Sequence, residues 1–591
     1  VSIVLLGIAI GLGVGLSRRR FSNESIQNAG AAPASVDRFL AFKGVLYPDG
    51  GDGALGNSST PQHRALTWLA DADPAVLDPL TTSPMRARQR YALAALYYAT
   101  NGTGWNRRCR FLSGEHECNW NDGKFGISCN DDEKGISSDT VTLLNLRTNN
   151  LDGTLPEEMF WLPNLTKVVL NLNKLSGRIP SSVGDLTKLT FLDMWINRFT
   201  GTVPQTMNRL TDLELIFLGT NHLTGTVPDL RNLKRLKALA LSTNAFTGTI
   251  PEWIGDLDDL MLLGLHTNSL TGAIPTSIAA LSKLEQIYVN SNDVHSLPLF
   301  PGAFPTLRVL SAWNCNFTGT LSEAIGYLTE LEDLTLKGND IRGSLPEEAL
   351  ASLPKLTKLN FESNQLSGTI PDGSSGSFFR SLLSLSLGGN HLGGTIPADL
   401  LLQNPNLSVL SLQENMLTGT IPPALGEMKK MWLLDLHSNR LEGSIPEMLG
   451  NSMELRYLEL SDNRLNGTVP GPLQSMEKLD WLSIAQNDLS GDINSLCDNR
   501  AENLQLLVDC SEVSCPCCTV CCTDENKDEC KNVLPTFTIL KNLCYQMIIP
   551  ILSKRSEDYS EPICHPYSYL EQILRNENQT RERSLRSRGM L

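Results

Sequence analysis

Cysteine is the residue type whose number and spacing most clearly indicate covalent chemistry in this chain. There are 14 cysteines among 591 residues, and ten of them follow residue 496. Eight of these ten lie between Cys497 and Cys530, around the run CPCCTVCC. Such dense spacing permits either a segment stapled by disulfide bonds or a cluster of thiolates that binds zinc.

No set of residues has the spacing of a catalytic centre. The sequence has eight histidines but no HExxH pair, no GxSxG elbow and none of the protein kinase motifs. The acidic residues are scattered, and no spaced pair of carboxylates stands out. We therefore predict that the protein is not an enzyme and uses no cofactor. The net charge of −15 also argues against nucleic acid as a partner.

A repeat of about 24 residues is the framework on which any functional side chain must lie. Fifteen copies of the pattern L-x-L-x-x-N-x-L-x-G-x-I-P follow one another between Val141 and Asn494, with spacings of 23 to 26 residues. Cys315 replaces the asparagine in one copy. A period of this size predicts a solenoid. The asparagines are Asn149, Asn173, Asn197, Asn221, Asn244, Asn268, Asn292, Asn339, Asn364, Asn390, Asn415, Asn439, Asn463 and Asn487.

Each recurring position of the repeat has a physical role in the predicted coil. The L-x-L segment predicts a short strand whose alternate leucines point into the core. The asparagine amide has two donors and two acceptor lone pairs, so it can satisfy backbone groups at the strand end. Glycine permits a positive φ or close approach of the next coil. Proline fixes φ and ends strand pairing.

The L-x-G-x-I-P half of the pattern resembles the plant-type subclass of leucine-rich repeats. This resemblance covers about 60% of the chain and implies an α/β solenoid. The expected fold is a right-handed superhelix of about 15 repeats, with a parallel β-sheet on its concave face and cysteine-stapled caps at both ends. Two copies depart from the pattern: the glycine is missing near Asn292, and Ser322 replaces proline in the copy that contains Cys315. We expect the coil geometry to change there.

Residues 58–140 are predicted to form the N-terminal cap. The stretch from Arg90 to Cys129 resembles the cap of plant-type repeat ectodomains, which implies a helix around Tyr91–Tyr98 over the first repeat. The same resemblance implies a disulfide between Cys118 and Cys129.

Other segments divide the rest of the chain. Thr60 and Pro61 predict the N-cap and first turn of another short helix. The repeats occupy residues 141–495, and residues 496–531 form the C-terminal cap. Because the cysteine cluster directly follows the last repeat, we favour disulfides over zinc there.

The apolar run VSIVLLGIAIGLGVGL near the start predicts a membrane anchor, with residues 1–20 as the anchor and its basic flank. A cleaved signal peptide is the alternative. Residues 21–57 have the composition of a flexible spacer, and residues 532–591 are predicted to be a partly disordered tail. The whole arrangement resembles membrane-anchored leucine-rich-repeat proteins of diatoms. That resemblance implies extracellular repeats on a single-pass membrane protein, as the cysteines also suggest.

Binding residues are expected at strand positions that point outward, two and four places before the asparagine. Aromatic residues there predict a ligand-binding surface, since tryptophan and tyrosine are enriched in binding hot spots. The alternative is that these rings pack on one another without a ligand. The candidates are Trp195, Phe217, Tyr288, Trp313 and Lys337, with Asp193 and His266 nearby. A second, weaker group contains Asp435, His437, Glu459 and Trp481.

We therefore expect a membrane-anchored extracellular receptor-like protein that binds a protein, peptide or glycan on its concave face and signals with a possible co-receptor. Two alternatives stay open: an adhesive cell-surface protein, and a secreted inhibitor of wall-degrading enzymes. The caps and repeats also contain N-x-[ST] sequons, which are candidates for glycosylation. These are Asn101, Asn164, Asn316, Asn406 and Asn466.

Overall fold

The computed structural model of the chain describes residues 35–50, 52–129, 139–372, 381–498, 504–510 and 512–522. The predicted anchor at residues 1–20 and the predicted tail at residues 532–591 lie outside these ranges. Within them, no helix is long and apolar enough to cross a membrane. The repeats form successive coils, each with a strand of one long sheet, a turn and a short helix or second strand.

The long sheet, called the main sheet below, contains 18 strands. The first strand, Gly126–Ser128, is antiparallel to its neighbour, and the others pair in parallel in chain order. This confirms the predicted parallel sheet. After the first strand the main sheet runs through Leu143–Asn145, Lys167–Val169, Phe191–Asp193, Leu215–Phe217, Ala238–Ala240, Leu262–Gly264, Gln286–Tyr288, Val309–Ser311, Asp333–Thr335, Lys358–Asn360, Ser384–Ser386, Val409–Ser411, Leu433–Asp435, Tyr457–Glu459, Trp481–Ser483, Gln505–Asp509 and Val520–Cys522.

Alternate residues of each main-sheet strand point into the core. In one strand, Leu192 and the following Met194 are fully buried. Leu192 pairs in register with Ile216 of the next strand, which is also fully buried. Because one coil cannot bury its apolar face alone, this inward column of aliphatic side chains joins the coils into one continuous core.

The repeat asparagines bind the backbone of neighbouring coils, as predicted. Asn221 is 6% exposed. Its Nδ2 donates to the carbonyls of Met194 and Leu218, both at 3.0 Å, and to that of Gly219 at 3.1 Å. Its Oδ1 accepts a hydrogen bond of 3.0 Å from the Phe199 amide. One side chain thus satisfies buried backbone groups on two coils, which would otherwise cost free energy.

In one coil Cys315 occupies the asparagine position, and its thiol has fewer hydrogen-bonding groups than an amide. Its thiol is half-buried and free, and burial raises its pKa to about 11. The Sγ atom donates to the Val289 carbonyl at 3.4 Å, where other coils have an amide donor. A thiol is a weak donor and a weak acceptor.

We expect Cys315→Asn to raise the free energy of unfolding by about 1 kcal/mol, because it restores strong hydrogen bonds to buried backbone groups. Urea unfolding of the wild type, Cys315→Asn and Cys315→Ala measures this. An asparagine variant no more stable than the alanine variant would show that the coil cannot accept the amide.

A second row of short parallel strands is interrupted twice. The first break follows Asp293–Ser296, where the altered repeats near Asn292 and Cys315 predicted a change of coil geometry. The second break follows His391–Gly393, which was not predicted. The three groups are Asp152–Thr154, Lys174–Gly177, Arg198–Gly201, His222–Thr226, Ala245–Thr249, Ser269–Ala273 and Asp293–Ser296; then Thr318–Thr320, Asp340–Gly343, Gln365–Thr369 and His391–Gly393; then Thr418–Gly419, Arg440–Gly443, Arg464–Thr468, Asp488–Asp492 and Val513–Ser514.

The repeat glycines have the positive φ that the sequence predicted. Gly225 has a φ of +87°, and a methyl group on it would lie 2.8 Å from Thr202 Cγ2 of the preceding coil. Both the conformation and the close approach therefore favour glycine.

Short helices complete the coils and the cap. The α-helices are α1 Ser35–Leu46, α2 Asp52–Leu55, α3 Pro61–Thr67, α4 Pro84–Ala99, α5 Thr276–Ala279, α6 Glu347–Ala351, α7 Ala398–Gln403, α8 Gly471–Gln474 and α9 Asn494–Asp498. A π-helical turn spans Trp68–Ala72. The 3-10 helices are Gly102–Gly104, Glu117–Asn119, Glu157–Trp161, Ser181–Asp185, Gln205–Arg209, Glu252–Asp256, Glu323–Tyr327, Pro423–Glu427 and Glu447–Asn451.

The N-terminal cap is larger than predicted. The sequence assigned residues 21–57 to a flexible spacer, but α1 and α2 form within that range and Phe42 of α1 is fully buried in the core. The predicted α3 start is confirmed: the Thr60 side chain accepts from the His63 amide, and proline occupies the first turn. The predicted cap helix is α4, which contains Tyr91–Tyr98.

The main sheet also continues beyond the last repeat. Gln505–Asp509 and Val520–Cys522 add two parallel strands after the predicted end of the solenoid at residue 495. Cys515 and Cys518 form a disulfide bond. The sulfur atoms of Cys510, Cys517 and Cys522 are also in disulfides, so these are not free thiolates for zinc.

Candidate functional site

The outward side of the main sheet, called the sheet face below, carries most of the predicted binding residues. Because side chains alternate along a strand, every strand residue that does not point into the core lies on this face. Three outward columns result, at six, four and two places before each repeat asparagine. The sequence argument used the last two columns and, apart from Trp481, omitted the first, although the same two-residue period predicts that the first column points outward as well.

The N-terminal half of the sheet face holds a continuous apolar cluster. In the strand at its edge, Phe191 packs on Phe217 of the neighbouring strand, with ring centroids 5.8 Å apart. This cluster is called the aromatic surface below. It consists of Phe191, Trp195, Leu215, Phe217, Ala238, Ala240, Leu262 and Tyr288.

Small residues lie beside the ring of Trp195 within the aromatic surface. A methyl group on Gly219 would lie 2.8 Å from Trp195 Cδ1, so glycine is needed where the indole lies. Ala240 and Gly264 follow on the next two strands, before Tyr288. The small residues Ala240 and Gly264 thus lie between the rings of Phe217 and Tyr288 on successive strands.

Two predicted site residues are more buried than expected. Phe217 is 2% exposed and Asp193 is 1% exposed, so the prediction that both are open to solvent is wrong. Phe217 packs on Phe191, as the alternative of mutually packed rings predicted. The Asp193 carboxylate accepts a hydrogen bond of 3.1 Å from the Trp195 amide. This bond helps to hold the backbone at the end of that strand.

The structure brings together only some of the other candidates. Trp195 and Tyr288 are half-buried members of the aromatic surface. Trp313 is half-buried as well but lies outside this cluster. His266 is also outside it, and burial lowers the pKa of its imidazole. Lys337 forms an ion pair of 2.6 Å with Glu362.

Paired charges occupy the middle of the sheet face. Besides Lys337 and Glu362, Lys358 contacts Asp333 at 3.0 Å on the neighbouring strand. Glu362 Oε1 also accepts from the Ser411 hydroxyl at 2.7 Å. This polar band separates the aromatic surface from the C-terminal part of the sheet face.

The second predicted group forms a compact cluster near the C-terminal end. His437 Nδ1 lies 2.6 Å from Asp435 Oδ1, and Trp481 Nε1 donates to Glu459 Oε2 at 2.7 Å. Tyr457, which the sequence argument missed, stacks on Trp481 with ring centroids 5.8 Å apart and planes 8° from parallel. These five residues, Asp435, His437, Tyr457, Glu459 and Trp481, are called the acidic-aromatic cluster below.

The charges of this cluster change the pKa values of its members. Burial alone lowers the pKa of His437, but its hydrogen bond to Asp435 and the charges of Asp435, Glu459 and Glu414 raise it to about 9. Burial and the Asp435 charge raise the pKa of Glu459, although hydrogen bonds from Ser461 and others lower it. His437 is therefore a cation at neutral pH.

Replacing His437 with glutamine should lower stability in a pH-dependent way. Because the folded-state pKa of His437 lies above its unfolded value of about 6.5, protonation stabilises the fold fully below pH 6.5, and this contribution is lost as the pH rises through about 9. We expect a difference of about 1–3 kcal/mol at pH 6 that disappears above pH 10. Urea unfolding across this range measures it. A pH-independent difference would contradict the ionic role of His437.

The remaining predicted residues lie in the cap and at the solenoid surface. Cys118 and Cys129 form a disulfide bond, and Cys109 is a buried free thiol. Among the glycosylation candidates, Asn164 is half-buried and its Oδ1 accepts from Lys188. The others, Asn101, Asn316, Asn406 and Asn466, are exposed. Across the described ranges, no group of three or more metal-ligating side chains is found.

Protein-family models match two parts of the repeat array. A model described as a leucine-rich repeat region matches residues 227–446, and one described as a leucine rich repeat matches residues 454–476. No curated protein sequence matches the chain.

Several solved structures have a similar fold. The ectodomain of the plant membrane receptor kinase GASSHO1/SCHENGEN3 from Arabidopsis thaliana, in complex with CASPARIAN STRIP INTEGRITY FACTOR 2, is 30% identical over 62% of this chain and 47% of that chain, with a TM-score of 0.52. The plant peptide hormone receptor RGFR1 in complex with RGF2 is 29% identical over 62% of each chain, with a TM-score of 0.56.

The complex of PEPR1 with AtPEP1 is 28% identical over 71% of this chain and 66% of that chain, with a TM-score of 0.56. The chain thus spans between 47% and 66% of the length of these three structures.

Proposed function

Because this chain is a leucine-rich-repeat protein with a fold similar to plant receptor ectodomains, we propose that it is a receptor-like protein that captures a peptide on its sheet face. The aromatic surface is the observation that carries this proposal. It places the half-buried rings of Trp195 and Tyr288 on one side of the main sheet, together with the buried ring of Phe217. Large rings contribute apolar area to an interface at a low cost in conformational entropy.

A peptide is favoured over a glycan for two reasons. One of the similar structures, RGFR1 in complex with RGF2, is described as a plant peptide hormone receptor. In addition, the residues in register between Phe217 and Tyr288 on the main sheet, Ala240 and Gly264, are small. An extended peptide can lie across these small residues and place its own side chains against the rings of Trp195 and Tyr288.

The proposed location is extracellular, with the chain held at the membrane by residues 1–20. The Cys118–Cys129 and Cys515–Cys518 disulfides support an oxidising compartment, since such bonds are rare in the cytosol. A co-receptor would transmit the signal. Protease applied to intact cells should digest the repeats, whereas digestion only after permeabilisation would contradict this topology.

Replacing Trp195 and Trp313 together with alanine should abolish peptide capture. The test selects 12-residue peptides from a phage-displayed random library on the full chain, then measures their affinity for each variant. Because a hot-spot residue costs about 2 kcal/mol or more when truncated, losing both rings should weaken binding of the selected peptides by about 4 kcal/mol, or roughly 1,000-fold.

Tyr327→Ala is the matched control, because Tyr327 is an aromatic residue 47% exposed on a 3-10 helix outside the main sheet. It should leave peptide affinity unchanged. Equal affinities of the double variant and the wild type would contradict the proposed surface. A library from which no peptide is enriched would contradict peptide capture and favour an adhesive role.

A further inference from the structure

The end of the sheet face nearest the N-terminal cap carries four cationic side chains, called the basic end below: Arg107, Lys124, Arg147 and Lys167. We propose that the basic end binds acidic side chains of a peptide whose apolar residues lie on the neighbouring aromatic surface. This inference rests on the proposed peptide capture and states which peptides the sheet face selects. They have glutamate or aspartate at one end and apolar residues at the other.

The register of the main sheet places the basic end directly beside the aromatic surface. Lys167 pairs with Phe191, which is the edge residue of the aromatic surface. Arg147 belongs to the same outward column as Trp195, two places before a repeat asparagine, and Asn171 lies on the coil between them. The positive charges and the rings therefore face the same side of the sheet.

Phe125 of the cap brings two guanidinium groups together. The guanidinium carbon of Arg107 lies 4.1 Å from the centroid of the Phe125 ring, and that of Arg147 lies 5.5 Å from it. Lys124 is fixed beside the sheet, because its carbonyl accepts a hydrogen bond of 3.0 Å from Asn145 Nδ2. A carboxylate at this place can accept charge-assisted hydrogen bonds from both guanidiniums.

The basic end has an excess of positive charge, in contrast to the polar band. None of its four side chains forms an ion pair within the described part of the chain. Arg107 is half-buried and the other three are exposed. The loop before Phe125 and the first three parallel strands contain two carboxylates, Asp122 and Asp193, and Asp193 is 1% exposed. Four cations thus stand against two anions in a chain whose net charge is −15.

Asn171 supplies an unused acceptor between the basic end and the aromatic surface. Its side chain is 6% exposed, and its Oδ1 has no hydrogen-bond partner among the described residues. A buried acceptor without a partner is costly, so a backbone N–H from a bound peptide would offset that cost. Arg147 beside it is exposed, and rotation of such a side chain admits the donor.

The spacing of the coils sets the length of a peptide that reaches both places. Six pairings of neighbouring strands lead from Leu143–Asn145 to Gln286–Tyr288. At about 4.8 Å for each pairing they span about 29 Å, which an extended chain covers in about nine residues. A ten-residue peptide can therefore place acidic side chains at the basic end and apolar side chains as far as Tyr288.

The probes are two ten-residue peptides with the same tetramethylrhodamine label at the C-terminus. One is acetyl-EGEGGWGLGF and the other is acetyl-QGQGGWGLGF, and fluorescence anisotropy measures their affinity for the full chain in 50 mM NaCl. We expect the glutamate peptide to bind about tenfold more tightly than the glutamine peptide. Raising NaCl to 300 mM should reduce this difference to less than threefold, since salt screens exposed charges.

Replacing Arg107 and Arg147 together with glutamine should weaken binding of the glutamate peptide about tenfold. Affinity for the glutamine peptide should stay within twofold of the wild type, which also shows that this variant is folded. The control for net charge replaces Arg440 and Arg464 with glutamine. Both are exposed on second-row strands in the C-terminal coils, and neither forms an ion pair with a described residue. This control should bind both peptides within twofold of the wild type.

Equal affinity of the wild type for the two peptides would overturn the proposal. Equal losses in the two double variants would do so as well, because binding would then follow total charge, as would no binding of the glutamate peptide at about 0.2 mM chain. A failure of peptide capture on the aromatic surface looks different. The Trp195→Ala, Trp313→Ala double variant would then bind both peptides as the wild type does, and the preference for glutamate would persist.

Discussion

Replacing Arg90 with alanine should lower the free energy of unfolding by about 3–5 kcal/mol, because the change leaves the buried Asp73 carboxylate without a counter-ion and leaves buried Glu117 with only Arg86, at 3.8 Å, and His116, at 3.6 Å. Arg90 has no exposed surface. Its Nη2 lies 2.5 Å from Asp73 Oδ1, and its Nη1 lies 3.0 Å from Glu117 Oε1. The guanidinium carbon also lies 5.2 Å from the ring centroid of Trp68 and 4.8 Å from that of Trp120.

The loss should appear in urea unfolding of the full chain, followed by tryptophan fluorescence because the two indoles lie against Arg90. Arg110→Ala is the matched control. Arg110 forms an ion pair of 3.1 Å with Glu115, but the two side chains are 61% and 46% exposed. An exposed pair contributes about 0–1 kcal/mol. Similar losses in both variants would mean that the cap does not depend on this buried network.

Replacing Asn221 with alanine should destabilise the solenoid by about 2–4 kcal/mol. The change removes three hydrogen bonds from its Nδ2 and one to its Oδ1, and it leaves backbone groups buried without partners. Chemical denaturation measures the loss. Amide hydrogen exchange should increase in the strands on either side of the substitution, because each coil contacts only its neighbours.

Asn451→Ala tests whether the effect belongs to the repeat position. Asn451 is exposed, and its Nδ2 contacts Met448 Sδ at 3.7 Å. A surface substitution of this kind should change stability by less than about 0.5 kcal/mol. If Asn221→Ala also changed stability by less than this amount, the repeat asparagines would not be what stabilises the contact between adjacent coils.

The sequence was sufficient to predict the parallel main sheet and the asparagine hydrogen bonds, because both follow from a pattern that recurs every 24 residues. The helix start at Thr60 and Pro61 was also predictable, since capping depends on residues only a few positions apart. The first break in the second row of strands coincides with the copies that lack the repeat's glycine or proline.

Features that depend on contacts between distant residues were not predictable in this way. The strand Gln505–Asp509 lacks the repeat pattern, and it forms because it pairs with Trp481–Ser483. Helix α1 lies in a segment of spacer-like composition, and burial of Phe42 stabilises it. The burial of Phe217 depends on Phe191, which lies one coil earlier in an outward column that the sequence argument omitted.

Within the acidic-aromatic cluster, sequence reasoning found four of the five residues. Tyr457 was missed although it occupies the same column as Trp481, six places before the asparagine. Its stacking on Trp481 and its position beside Glu459 depend on the register of adjacent coils. Apolar or aromatic residues in that column are the sequence feature that would have revealed both surfaces.

The most direct test of peptide capture on the sheet face is hydroxyl-radical footprinting of the full chain, with and without a peptide selected from the library. We expect oxidation of Trp195, Tyr288 and Trp313 to fall at least threefold when the peptide is bound. Oxidation of Met448 and Met453, which are 42% and 63% exposed outside the main sheet, should stay unchanged. Protection of these methionines, with no protection of the sheet-face aromatic residues, would contradict the proposed function.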